Sequence, residues 1–240
     1  MPFVTDAAWP DFLLEHFDSS SCHEDEAWEP YHRSLADRYY AVYPYMLMYC
    51  FHVHAGDPGF VIGYQGLLSE PWASDTTYAM PSVVRQRPHF RPVLIFDIQD
   101  PAWATRADLR LEADRRMHQR YDYPSQHRYD HTSNLNDCPL PHLWGLSLLG
   151  TSLRVYCGDV ATGVVNPVSE DPPSPLPPDF LEGAWDIDIL SQEGFWKMKE
   201  IIGDIVCLSA EFDPRARFLP ISWTWKAGML ISFLRRSLGI

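Results

Sequence analysis

The run Pro92-Val-Leu-Ile-Phe-Asp-Ile-Gln-Asp-Pro101 limits the fold more than any other stretch of the chain. Its Val/Leu/Ile/Phe content reads as a buried strand closed by turn formers. Strand side chains alternate between faces, so Asp97 and Gln99 project from the same side. An acid and an amide on one face of an apolar strand need partners. Either they join a hydrogen-bond network in the core, or they hold a metal ion with its substrate.

The rest of the chain supplies enough apolar material to bury such a strand. With 240 residues, 46% of them hydrophobic and 14% aromatic, disorder is excluded and a globular α/β protein is expected. Cys22, Cys50, Cys138, Cys157 and Cys207 are odd in number and widely spaced, which fits reduced thiols better than a disulfide framework or a zinc cage. The first residues lack a basic stretch followed by an apolar run. The expected location is therefore intracellular, cytoplasmic or nuclear. A net charge of −13 repels polyanions, so nucleic acid is a disfavoured partner unless a local basic patch or a metal intervenes.

Along the chain, Trp28, Tyr31, Leu35 and Tyr39 recur at helical spacing, which predicts a helix from Glu24 to Met48 with Pro44 marking its end. Met46 to His54 and Phe60 to Leu68 are strand-like runs around Ala55-Gly-Asp-Pro-Gly59, and a hairpin is expected there. A weak strand follows at Ser82 to Gln86, then the strong one at Val93 to Gln99, and a helix from about Ala102 to Arg120. Leu143 to Leu149 and Ser152 to Cys157 flank Gly150-Thr151 and predict a second hairpin beside the strand that carries Asp97. Asn166 to Pro178 holds six prolines and reads as a semi-rigid surface loop, and Asp186 to Ala210 as a helix. No segment is long and apolar enough for a secure membrane span.

The expected organisation is one α/β domain over 1–211, with a mixed central sheet flanked by helices, and a basic, aromatic tail over 212–240. Arg215, Arg217, Lys226, Arg235 and Arg236 in that tail stand among Phe218, Trp223, Trp225, Phe233 and other apolar residues, with no acid after Pro214. That composition suits contact with a membrane surface or an acidic protein, and the acidic body of the chain is itself such a surface.

The order helix, hairpin, strand with Asp-x-Gln, helix, strand resembles the core of the PD-(D/E)XK nuclease superfamily. More closely, Glu24-Asp-Glu-Ala-Trp-Glu-Pro-Tyr-His-Arg-Ser-Leu35, Arg91 to Pro101, Cys138 to Gly150 and Trp185 to Gly194 are similar to a set of proteins from mushroom-forming fungi. In that set the central strand typically ends in Glu-x-Lys-Pro-Pro. The resemblance covers roughly 1–210 and implies a nuclease-like core with a C-terminal extension. It departs from the superfamily at Gln99, where Lys is expected. It departs again at Ala79-Met-Pro-Ser-Val-Val84, which offers no acid and leaves Asp75 as the nearest substitute.

The resemblance implies a Mg²⁺ or Mn²⁺ centre with Asp75 and Asp97 as metal ligands, joined by the carbonyl of Ile98. Gln99 would orient the attacking water and Glu29 would add an outer carboxylate. An amide can orient water but cannot take its proton. The two damaged positions and the acidic charge favour a non-catalytic or weakly active nuclease-fold protein that acts by binding. The alternatives are a working Mg²⁺- or Mn²⁺-dependent nuclease, and a small-molecule enzyme on a repurposed fold with a pocket lined by Trp103, Tyr64 and Trp144. The blandest reading leaves Asp97 and Gln99 hydrogen-bonded to loop backbone beneath Trp103.

Other constellations carry less. His52-Val-His54 and His127-Arg-Tyr-Asp-His131 have ligand-like spacings, but chance pairs are expected among ten histidines. Arg106, Arg110, Arg115, Arg116 and Arg120 offer a phosphate-binding face, yet Asp108, Glu112, Asp114 and Asp122 interleave and favour a solvated, salt-bridged helix. No G-x-S-x-G, P-loop or G-x-G-x-x-G is present.

Overall fold

The fold is taken from a computed structural model that describes residues 2–21, 35–51, 59–64, 82–86, 90–122, 133–169 and 171–212. The elements run α1 (Pro2–Thr5), α2 (Asp11–Ser21), α3 (Leu35–Phe51), β1 (Phe60–Tyr64), β2 (Ser82–Gln86) and β3 (Arg91–Gln99). A 3₁₀ turn (Pro101–Thr105) then leads into α4 (Ala107–Asp122), α5 (Asn134–Asp137), β4 (His142–Leu149) and β5 (Ser152–Asp159). The short strands β6 (Val165–Asn166) and β7 (Ile187–Asp188) precede α6 (Gln192–Phe212), the last element among the described residues.

The strands form one mixed sheet in the order β1-β2-β3-β4-β5-β6, with β7 also paired to β5. β1, β2 and β3 make an antiparallel meander, β3 pairs with β4 in parallel, and β5 returns antiparallel to β4. The parallel step requires a crossover, and α4 with α5 provides it. β3 is thus an inner strand, buried from Pro92 to Gln99, which explains why its sequence is apolar without interruption until Asp97.

Alternation assigns the two faces. Leu94, Phe96 and Ile98 point toward α3, where the ring of Tyr43 meets Phe96 at a centroid distance of 5.2 Å. Asp97 points the other way, toward Arg120 of α4. Trp144 is in register with Leu94, and its indole Nε1 donates to Asp204 of α6, so α6 shares the α3 face. The result is three layers, α3 with α6, then the sheet, then α4. Among the described residues no helix is long and apolar enough to cross a membrane.

Several expectations are corrected. Pro44 does not end its helix, because α3 continues through it to Phe51. Tyr43, Met46, Leu47, Cys50 and Phe51 are all buried, and their spacing is helical. Burying that stripe against the sheet offsets the backbone hydrogen bond that proline removes. The strand expected over Met46 to His54 is therefore helix as far as Phe51, and β1 pairs instead with β2. The last helix starts at Gln192, with the Ser191 hydroxyl accepting from the Gly194 amide, while Ile187–Asp188 forms β7. The proline-rich segment is a surface strap, as expected, apart from the two-residue β6 at its start. The N-terminal part of the predicted first helix, over 24–34, lies outside the described residues. So do His52, His54, His127, His131 and the tail beyond 212.

Candidate functional site

On the α4 face the sheet carries a row of polar side chains where a core would normally be apolar. Asp97, Ser147 and Arg154 are consecutive register partners on β3, β4 and β5. Gln99 and Tyr156 lie one step to either side on the same face. α4 lays Asp114 and His118, four positions apart on one helix face, over this row, and Arg120 reaches it from two positions further on.

Asp97 and Gln99 are both 0% exposed. Gln99 Nε2 donates to Asp97 Oδ2 at 2.8 Å. The Arg120 guanidinium lies 3.6 Å from Asp97 Oδ1. Arg120 is held in turn where the Asn134 side-chain amide donates to its carbonyl. A second charge pair sits beside the first. Arg154 approaches Asp114 Oδ1 at 3.2 Å, Tyr156 Oη donates to the same oxygen at 2.9 Å, and the Ser169 hydroxyl reaches the other. His118 Nε2 stands 3.9 Å from Asp114. The Arg154 guanidinium lies over the rings of Tyr156 and Trp185, and Trp185 donates to the Ser147 hydroxyl.

Two carboxylates thus face two guanidiniums, and the layer is close to electrically neutral. Isolated charges so deep would cost several kcal/mol each, and pairing with added hydrogen bonds makes the burial tolerable. Burial raises the Tyr156 hydroxyl well above the usual phenol range, with Arg154 opposing the shift and Asp114 adding to it. Tyr156 therefore stays a neutral donor.

Among the described residues, Asp97 is the one acid of the expected metal centre that is placed, and its surroundings are cationic. Mg²⁺ or Mn²⁺ wants about six oxygen donors, mostly anionic or water. Asp97 supplies one carboxylate whose oxygens face an amide N–H and a guanidinium, and a metal there would be a further cation beside Arg120. Asp75 and Glu29, the other acids assigned to the centre, lie outside the described residues. Cys138 and Cys157 are poor nucleophiles, because burial pushes the Cys138 thiol to about 12 and Cys157 to about 11.

The other sequence expectations divide. Gln99 bonds to Asp97 and not to loop backbone. The arginine helix is solvated on one side only, because Arg110 and Arg120 are buried while Arg106 and Arg115 are exposed. Arg110 donates to the carbonyls of Ala104, Pro178 and Phe180 and so ties α4 to the proline-rich strap. Arg106, paired with exposed Asp108, behaves as the charge pattern suggested, and Arg115 is exposed on α4. Trp103 packs with Ala113, Leu149 and Trp185 on the α4 face, whereas Trp144 sits on the other. The sheet lies between them, so they do not line one pocket. Asp114, Ser147, Arg154, Tyr156 and Trp185 were missed. The signal for three of them was present, since Ser147 interrupts an apolar strand and Arg154 and Tyr156 alternate on the next.

Fold and site together define a three-layer α/β protein with a mixed sheet and a closed, charge-balanced polar layer beneath its crossover helix. Comparison with family models, with curated proteins and with solved structures found no match.

Proposed function

We propose that this chain is a nuclease-like α/β domain that no longer cleaves phosphodiesters and acts through binding. The observation that carries the reading is the Asp97–Arg120 pair, in which a guanidinium stands where the resemblance calls for a metal cation. The order of α3, the β1–β2 hairpin, β3 with Asp-x-Gln, α4 and β4 supports the nuclease-like ancestry. The net charge of −13 favours cationic partners over nucleic acid.

One observation favours the second reading, a Mg²⁺- or Mn²⁺-dependent nuclease using Asp75, Asp97, Gln99 and Glu29. Asp97 Oδ1 and Gln99 Oε1 are buried without a hydrogen bond. Such orphaned acceptors are uncommon and cost stability unless something meets them. Arg120 already supplies the charge that Asp97 Oδ1 needs, which is why the binding reading comes first.

The test is incubation with labelled single- and double-stranded DNA and RNA in Mg²⁺ or Mn²⁺, beside an Asp97→Asn/Arg120→Met double variant. Removing both charges together avoids the roughly 3–5 kcal/mol penalty of stranding one buried ion. The expected result is no cleavage that separates the two proteins. Metal-dependent cleavage by the wild type that the folded double variant lacks would overturn the proposal.

A further inference from the structure

On the face of α2 and α3 turned away from the sheet, large apolar side chains are left in solvent beside acids. Phe12 is 52% exposed, Tyr45 is 53% exposed and Met48 is 38% exposed. They form one patch, because Phe12 meets Tyr49 edge-on at 6.0 Å and His16 meets Tyr45 at 5.8 Å. α2 contributes Asp11, Glu15 and Asp18 and contains no Lys or Arg. A patch that is aromatic and acidic at once has a defined complement, a segment rich in apolar side chains and cations.

The chain contains one such segment. Residues 214–240 hold five cations, no acid, and a dense set of large apolar residues, whereas the rest of the sequence is strongly acidic. Its point of departure is also suitable. α6 ends at Phe212 and packs against α1 and α3, the same layer that bears the patch. Residues 213–240 reach about 40 Å even if fully helical and about twice that if extended, enough to cross a domain of this size.

We infer that the α2–α3 face is the docking surface for the basic, aromatic segment 214–240 of the same chain. Phe12, Tyr45 and Met48 receive its apolar side chains, and Asp11 and Glu15 pair with its arginines and lysine. This goes beyond the reading of the Asp97 layer and stands whether or not that layer binds metal.

Limited trypsin digestion of the full chain, read by mass spectrometry, tests it. Arg215, Arg217, Lys226, Arg235 and Arg236 provide cleavage sites throughout the segment. Phe12→Ser/Tyr45→Ser and Asp11→Lys/Glu15→Lys alter only exposed positions, and circular dichroism confirms that each variant keeps its fold. Cleavage after 214 is expected to quicken about tenfold in both, because proteolysis of a docked segment follows its opening equilibrium. High salt should quicken it in the wild type by weakening the ionic part. Equal cleavage of wild type and variants would overturn the inference. Protection that falls on dilution would also overturn it, by assigning the segment to a second copy. Protection that appears only with anionic vesicles would do the same in favour of a lipid surface.

Discussion

At the scale of single residues, the polar layer depends on glycine as much as on charge. A Cβ at Gly145 would stand 2.5 Å from the Tyr121 hydroxyl oxygen, and one at Gly158 would meet Tyr121 ring carbons at 2.7 and 2.8 Å. The missing side chains let Tyr121 lie on the sheet and donate to the Leu143 carbonyl at 3.1 Å. Gly145→Ala should therefore destabilise by about 1–3 kcal/mol in denaturant titration. Adding Tyr121→Phe should recover part of that loss, because the closest atom is the hydroxyl. Gly158→Ala should not be rescued by Tyr121→Phe, because the clashing ring carbons remain. Equal rescue at both positions would mean that the Tyr121 ring sits elsewhere.

The same contrast shows what a residue pattern conceals. Asp97 and Gln99 were legible as a same-face pair from alternation alone. Arg120 was legible only as one of five arginines on a charged helix, with nothing local to separate it from the exposed Arg106. Which arginine is buried depends on the angle at which α4 crosses the sheet, and that angle is set by contacts distant in sequence.

At the scale of elements, the strap over 171–183 has few apolar anchors and is held largely by Arg110, whose three donated bonds reach the Ala104, Pro178 and Phe180 carbonyls. Bonds from a charged donor are worth about 1.5–3 kcal/mol when the partner is left buried and unpaired. Arg110→Ala should cost about 2 kcal/mol or more and should raise hydrogen exchange across the strap while β3 and β4 stay protected. Exchange unchanged in the strap would show that its prolines suffice to hold it. The hairpin of β4 and β5 was readable because Gly150-Thr151 separates two strand-like runs. The end of α3 lies beyond the expected Pro44 because a local rule about proline competes with a helical stripe of buried residues, and the stripe prevails. Five well-buried side chains outweigh one lost backbone bond.

At the scale of the whole molecule, the core is rich in buried phenols and thiols. Burial holds Tyr43, Tyr121 and Cys50 well above their ordinary values and moves Cys138 to about 12. In the unfolded chain these groups lose protons near their ordinary values, 9.0 for thiols and 10.0 for phenols. Between that point and the folded value, the folded state holds more protons than the unfolded one. Stability is thus fully present below about pH 9 and falls as pH rises, with each deeply buried group adding about 1.4 kcal/mol per pH unit. Urea midpoints should be flat from pH 7 to 9 and drop steeply above it, and Cys50→Ala should make the slope shallower. A midpoint that stays level to pH 11 would contradict the burial of these groups.

Periodicity and turn chemistry by themselves determined where the inner strand β3, the β4–β5 hairpin, the crossover helix and the proline strap fall, because each is encoded within a dozen neighbouring residues. They also determined that Asp97 and Gln99 share a face. The tertiary structure alone decided that β1 pairs with β2, that α3 runs through Pro44, and that Asp97 meets Arg120. Those outcomes turn on desolvation and long-range packing, where the energy of a residue is set by neighbours that the chain brings to it only on folding.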